Sequence, residues 1–507
     1  TQVAAVARTN QRFFFDPADR ELVALVNHQM ASGAGSEQIE HLFDPYLHPR
    51  GIKELAAPIH KRIAYAVIQL ITSLEAGHAE ERIAALRSLR DEIFNGSSSS
   101  LRHNTARVLL AIMKDLVRER GNEHRQLKLA HDFFAALSGR PSFIRSQLRA
   151  HHLVEMPEAW NQVAFDHHVH DANSKGRKSP THLITDAWIK GIRDINVIYY
   201  NFIRTEAVAE LSEAAEIMGV KLRIGIEVSA RFRGKYVQFI WTPRGFGGRE
   251  DFLEFIETDA VKAFFAQGQE VADFRQRNML ALLSSFNERH LARLNETYGL
   301  KLAPIVPEQF LSFVGVGQAS IAHLADHIHG LLMPQLCACV HELQAKWAAN
   351  PGAEEREKLR ARLELLNGLM PDRIIADYLR SDLNPGVPNG RVAAEGPEVP
   401  ALLKLTPQQM VERLGTLRTG YRLTLNPTGL SPADVLELVY DLEGAITHIE
   451  IYNLKDRRQG RESFGKRLVR LRRSINAGSP SAVKQSVRDI IRDFELAEPG
   501  EVERLAK

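Results

Sequence analysis

From Asp16 to about Glu155, apolar positions recur at spacings of three and four, so each segment has one face to bury. Asp16-Pro17 opens a helix to about Ala31, and Pro49 to Leu74 reads as a long apolar helix through Ile59, Ile63, Val67 and Leu70. Further helices fit 79–94, 104–119 and 123–138, and Pro141 opens another. From Val163 the period changes. Val163 to His170 reads as a strand, a polar loop runs from Asp171 to Ser179, and Pro180 opens a helix to about Lys190. Residues 194–200 form a second strand. A helix from Thr205 ends near Gly219, and Lys221 to Ser229 form a third strand. Strands alternating with helices predict right-handed crossovers and a parallel sheet, with chemistry at the carboxyl ends of the strands. Those ends carry His168 and His170, Tyr199 and Tyr200, and Glu227.

His168 and His170 are two apart, so a strand presents both imidazoles on one face. With Glu227 they make a two-histidine, one-carboxylate set suited to zinc, manganese or iron. The competing reading is of ordinary polar residues beside a turn.

The same stretch resembles the polymerase-and-histidinol-phosphatase (PHP) family. Asp166 to Gly176 follows its Asp-x-His-x-His opening and Ser-Asp-Gly, with Lys175 at the Asp position. Gly191 to Asn201 follows without a gap its Gly-Leu-Asp-x-Ile-x-Ile-Thr-Asp-His-Asn segment, and Ile224 to Ser229 its Gly-Ile-Glu-Ile-Ser strand. The resemblance implies a distorted (β/α)7 barrel, metal-dependent phosphoesterase activity, and His168, His170 and Glu227 as ligands. It also marks departures. The family's Asp-His pair falls on Tyr199 and Tyr200, Gln238 lies where a histidine is frequent, and Asn426 replaces the histidine of the Ala-His-Pro segment. Neutral tyrosine is a poor ligand for these ions. The expectation is therefore one divalent metal (zinc, manganese or iron) or none, in a pocket lined by His167, Tyr199, Tyr200, Asn201 and Asn426.

Beyond Ser229, Tyr236 to Trp241 reads as a strand. Arg231 and Arg244 near it are candidate phosphate holders, with exposed charge as the alternative. Glu250 to Leu379 is helical, broken near Pro351-Gly352 and Met370-Pro371. His323 and His327 share a helix face at metal-compatible spacing but read as surface or helix-interface residues. Cys337 and Cys339, the only two cysteines, read as buried packing. Ser381 to Pro400, rich in proline and glycine, is a loop long enough to lie over a site. The α/β pattern then returns, with a strand over Tyr421 to Leu425, a helix opened by Ser431-Pro432, and a strand over Ile446 to Tyr452. Arg461 to Asp493 is basic and helical.

At 507 residues the chain exceeds one ordinary core. The expected division is an all-α domain over 1–155, a first barrel part over 160–250, a helical insertion over 251–415, and a second barrel part with C-terminal helices over 418–507. A net charge of +3 does not point to nucleic acid, and no run approaches the roughly 20 apolar residues needed to span a membrane. With no secretory leader recognisable, the cytoplasm is the expected compartment. Two functions follow. One is a PHP-like phosphoesterase with a reduced metal site, acting on a phosphorylated small molecule or phosphoester. The other is a PHP-fold protein without catalysis, binding a protein partner through its helical domain or a phosphorylated ligand in the old pocket.

Overall fold

The computed structural model describes residues 15–32, 58–76, 78–96, 100–156, 164–349, 352–390, 392–450, 470–471, 473–474 and 477–497. In chain order the first helices are α1 (Pro17–Ser32), α2 (Ile59–Ala76), α3 (Ala79–Gly96), α4 (Arg102–Arg118), α5 (Glu123–Leu137) and α6 (Pro141–Ala150). Then come β1 (Ala164–Val169), α7 (Pro180–Lys190), β2 (Ile192–Tyr200), α8 (Thr205–Met218), β3 (Lys221–Phe232) and β4 (Lys235–Pro243). The long helical stretch comprises α9 (Arg249–Ile256), α10 (Asp259–Arg289), α11 (Leu291–Tyr298), α12 (Pro307–Val314), α13 (Ile321–Ala348), α14 (Ala353–Asn367), α15 (Pro371–Ile374) and α16 (Pro407–Leu417). The chain closes with β5 (Tyr421–Asn426), α17 (Pro432–Asp441), β6 (His448–Ile449) and α18 (Pro480–Ala497). The start of the helix expected from Pro49, the end of the strand expected over Ile446 to Tyr452 and the basic tract over 461–469 lie outside the described residues.

Six strands form one curled mixed sheet in the order β1-β2-β3-β4-β5-β6. The strands on either side of the long helical stretch thus belong to one sheet. The expected all-parallel order fails at β4, which runs antiparallel to both β3 and β5, while β5 and β6 are parallel. The reason is local. Only Arg233-Gly234 separate β3 from β4, both at positive φ (49° and 71°), and so short a connection makes a hairpin, never a crossover.

The chain divides into two compact units. The first comprises residues 1–169, 178–196 and 206–223. Its centre is Arg107, fully buried on α4, which donates to the carbonyls of Ile189 at the end of α7 (2.7 Å) and Val154 (2.9 Å), and to Asn104 Oδ1 (3.0 Å). A guanidinium there meets the negative end of α7 and satisfies carbonyls that would otherwise be orphaned. The second unit comprises residues 170–177, 197–205 and 224–507. Within it α10 to α15 close around their own apolar cluster, including Phe286, Leu294, Phe310, Leu324 and Ile374. Of the two cysteines expected to pack, Cys339 is half-buried against this cluster, and Cys337 is exposed on α13.

Candidate functional site

The site is built on β3, β4 and β5 and the end of β2 within the second unit; Glu227 lies inside β3 and not at the expected strand end, because β3 runs on to Phe232. β3, β4 and β5 align so that Ser229 pairs with Gln238 and Gln238 with Asn426. Directly paired residues share a sheet face, and Glu227, two before Ser229, shares it too. Asn426 Nδ2 donates to Gln238 Oε1 at 3.2 Å. Glu450, one residue beyond β6, donates its backbone N–H to Leu425 at 2.9 Å and extends this row. Asn201 follows β2 at positive φ (62°), and its N–H donates to the Glu227 carbonyl at 3.0 Å, holding the β2 corner against β3.

α10 lays Arg275 across this row. Its Nη2 donates to Ser229 Oγ at 2.7 Å, and the Glu227 carboxylate acts on its guanidinium through space. Burial lowers the pKa of Arg275, with Glu227 and Tyr200 opposing that effect. Burial first, then the Glu227 and Glu450 carboxylates, push the Tyr200 phenol well above its ordinary value, so it stays a neutral donor.

The loop after β1 supplies the second half. His170 Nδ1 sits 2.7 Å from the Ile198 carbonyl, which fixes it as the protonated nitrogen, and the lone pair then lies on Nε2. The ring stacks on Tyr200 at 5.1 Å, and Lys175 Nζ lies 5.1 Å from the Tyr200 ring centroid. Tyr199, 1% exposed, donates from its hydroxyl to Asp171 Oδ2 at 2.7 Å. Ser174 Oγ is 3.1 Å from His170 Nδ1, but Ser174 is buried and donates to the Asp171 carbonyl at 3.2 Å, so it does not form a nucleophile–base pair. Gly176 is demanded here, because a Cβ would overlap the carbonyl of His170.

Of the residues singled out in the sequence, His170, Tyr199, Tyr200, Asn201, Glu227 and Asn426 lie on these strands and the loop beside them. His168 and His167 fall in the first unit. His168 donates its N–H to Asp166 Oδ1 at 3.3 Å. His167 is on alternate strand positions from His168 and His170, and it approaches Asp194 (3.6 Å) and Arg223 (3.4 Å). Arg231 pairs with Glu395 at 2.5 Å, and Arg244 is exposed at a turn, where its carbonyl accepts from Arg418 Nε at 3.1 Å. His323 and His327 are buried against neighbouring segments. His323 Nε2 meets the Lys175 carbonyl at 3.0 Å, and the His327 ring lies 4.8 Å from Phe313.

Three members went unnamed in the sequence: Arg275, Asp171 and Glu450. Asp171 directly follows His170, a usable signal. Arg275 gave none, since it sits amid a charged helix, 48 positions beyond Glu227 in the numbering.

A divalent ion needs anionic or neutral donors turned toward it. The Arg275 charge acts on Glu227 through space, and Asp171 accepts from a phenol. A second cation beside Arg275 would meet repulsion in a desolvated place. Among the described residues no group of three or more His, Cys, Asp or Glu is arranged to hold a metal. The Arg275 charge thus weighs against a divalent ion beside Glu227.

No protein family matches the chain, and no curated protein does. Among solved structures it is similar to a provisionally assigned metal-dependent phosphoesterase from Bifidobacterium adolescentis (TM-score 0.35, 14% identity, 59% of this chain and 79% of that one). It is also similar to an amidohydrolase from Chromobacterium violaceum with bound sulfate and no metal (TM-score 0.35, 16% identity, 58% and 81%). At such scores the backbones follow substantially different courses. No described helix is long and apolar enough to cross a membrane.

Proposed function

We propose that the chain is a PHP-like protein whose cluster on the sheet has become an internal charge network, and that it serves as a binding scaffold instead of a phosphoesterase. The observation that carries this reading is Arg275, whose guanidinium bonds Ser229 beside Glu227 in the row where a metal would need free donors, with the Glu227 charge acting on it. An arginine there supplies the positive charge that a metal would otherwise supply, without Lewis acidity and without bound water. Large apolar side chains left exposed on the helical stretch, among them Trp347 (50%), Met370 (54%) and Met333 (41%), are the kind of surface a protein partner covers.

The competing reading, a one-metal phosphoesterase using His168, His170 and Glu227, is favoured by one feature. A backbone carbonyl fixes the His170 tautomer with its lone pair on Nε2, as in metal-ligating imidazoles. Hydrolysis of a panel of phosphomonoesters and diesters, with zinc, manganese or iron added, separates the two. The scaffold reading expects no turnover that His170→Ala abolishes. Turnover that both His170→Ala and Glu227→Gln remove would overturn it.

A further inference from the structure

A second, unrelated pocket of about 490 Å³ opens in the second unit between α10 and the segment Pro397 to Lys404. Its volume lies in the range of small-molecule sites. Glu270, Asp273 and Arg277 line it from one face of α10, at spacings of three and four, while Arg275 projects from another side of the same helix. Glu398 and Lys404 line it from the opposite wall, with Val399 buried at 2% beneath. That wall is fixed by the fold. Pro397 and Pro400 restrict its backbone, the Leu405 carbonyl accepts from Arg231 N at 2.8 Å, and Ala393 N donates to Gly234 at 2.9 Å.

The charges here are arranged unusually. Carboxylates and cations share one cavity, yet among the described residues Glu270, Glu398, Arg277 and Lys404 form no ion pair. Asp273 accepts only from the neutral amide of Gln269, at 2.8 Å. Charges of both signs around one cavity, not paired with one another, favour a solute that bears both signs, because one molecule then meets both. A purely anionic or purely cationic solute would be attracted by one set and repelled by the other.

We infer that this pocket is a binding site for a small zwitterion of the free amino-acid type, its carboxylate held by Arg277 and Lys404 and its ammonium by Glu270, Asp273 and Glu398. The site is independent of the cluster on the sheet and of its reading as a scaffold.

The test is isothermal titration of the purified full chain with each free L-amino acid. The N-acetyl and methyl-ester derivatives of the best binder follow, each lacking one charge. At least one free amino acid is expected to bind one to one. Each derivative should bind at least about tenfold more weakly, the effect of losing one charge-assisted interaction. The Arg277→Ala/Lys404→Ala and Glu270→Gln/Glu398→Gln pairs should weaken binding similarly. These side chains lie on the surface, so circular dichroism should show the variants folded. Absence of binding by every amino acid, equal affinity of a derivative, or unchanged affinity in both charge pairs would overturn the inference.

Discussion

Arg275 bonds Ser229 Oγ at 2.7 Å, and the Glu227 charge opposes the effect of burial on its guanidinium. Each charge lowers the cost of burying the other, so the effects of removing them should not add. Arg275→Met should lower stability by about 1–3 kcal/mol in chemical denaturation, the usual cost of losing a hydrogen bond to a charged group, and Arg275→Met/Glu227→Met should cost less than the two single variants together. An additive double variant would mean the two charges do not interact. Tyr199 is a second case, because its hydroxyl donates to Oδ2 of a buried Asp171, whose Oδ1 accepts from Asn173 N–H. Tyr199→Phe should cost about 1–3 kcal/mol, the usual penalty for removing one hydrogen bond to a buried charged acceptor. Tyr199→Asp should cost more, since it places a second carboxylate beside the first. At this scale the sequence was informative where motif and strand coincide. The strand positions of Tyr199, Tyr200 and Asn426 could be read from short segments, whereas Glu227, expected at a strand end, lies inside β3 because that strand runs on to Phe232. Arg275 could not, because its role depends on how a 31-residue helix crosses the sheet.

At the scale of elements, α10 seats against the β2 corner through Gly268. A Cβ there would overlap the Asn201 carbonyl oxygen and lie 2.8 Å from its carbon. Backbone cannot yield as a side chain does, so Gly268→Ala should destabilise the second unit. It should also shift the helix that carries Arg275, read as lowered thermal stability and altered tyrosine fluorescence. In the first unit, α7 carries a charge cluster. Asp186 pairs with both Lys114 and Lys178, and His182 lies 3.7 Å from it. Burial pushes His182 down to about 4 against the opposing Asp186 charge. For Asp186 burial acts upward, but the two lysines outweigh it and hold the carboxyl at about 2. Both folded values lie below the ordinary ones, so the folded state binds fewer protons than the unfolded state. Stability should thus fall as pH drops from 6.5 towards 4 through His182, and further below 3.8 through Asp186. The first fall should be on the order of 2–3 kcal/mol. In His182→Asn, urea denaturation across that window should show a shallower fall, and an unchanged slope would remove His182 as its source. The helices were legible in the sequence to within a few residues wherever a proline or cap opened them, as at Pro17, Pro141 and Pro180. The direction of β4 was not, because the strand pattern is the same in either direction and only the two-residue connection decides it.

For the whole molecule, the sequence indicated a sheet that resumes after a long helical stretch, and β5 and β6 do join the sheet begun by β1. What it left open was whether the strands still form a metal centre, which depends on charges brought together from elements far apart in the chain. The central claim is that Arg275 supplies the cation at Glu227. The most direct measurement is elemental analysis of the purified full chain after expression with zinc, manganese and iron supplied, alongside Glu227→Gln and His168→Ala/His170→Ala. The account predicts far less than one equivalent of any divalent metal in all three proteins. One or more equivalents in the native chain, lost in both variants, would contradict it.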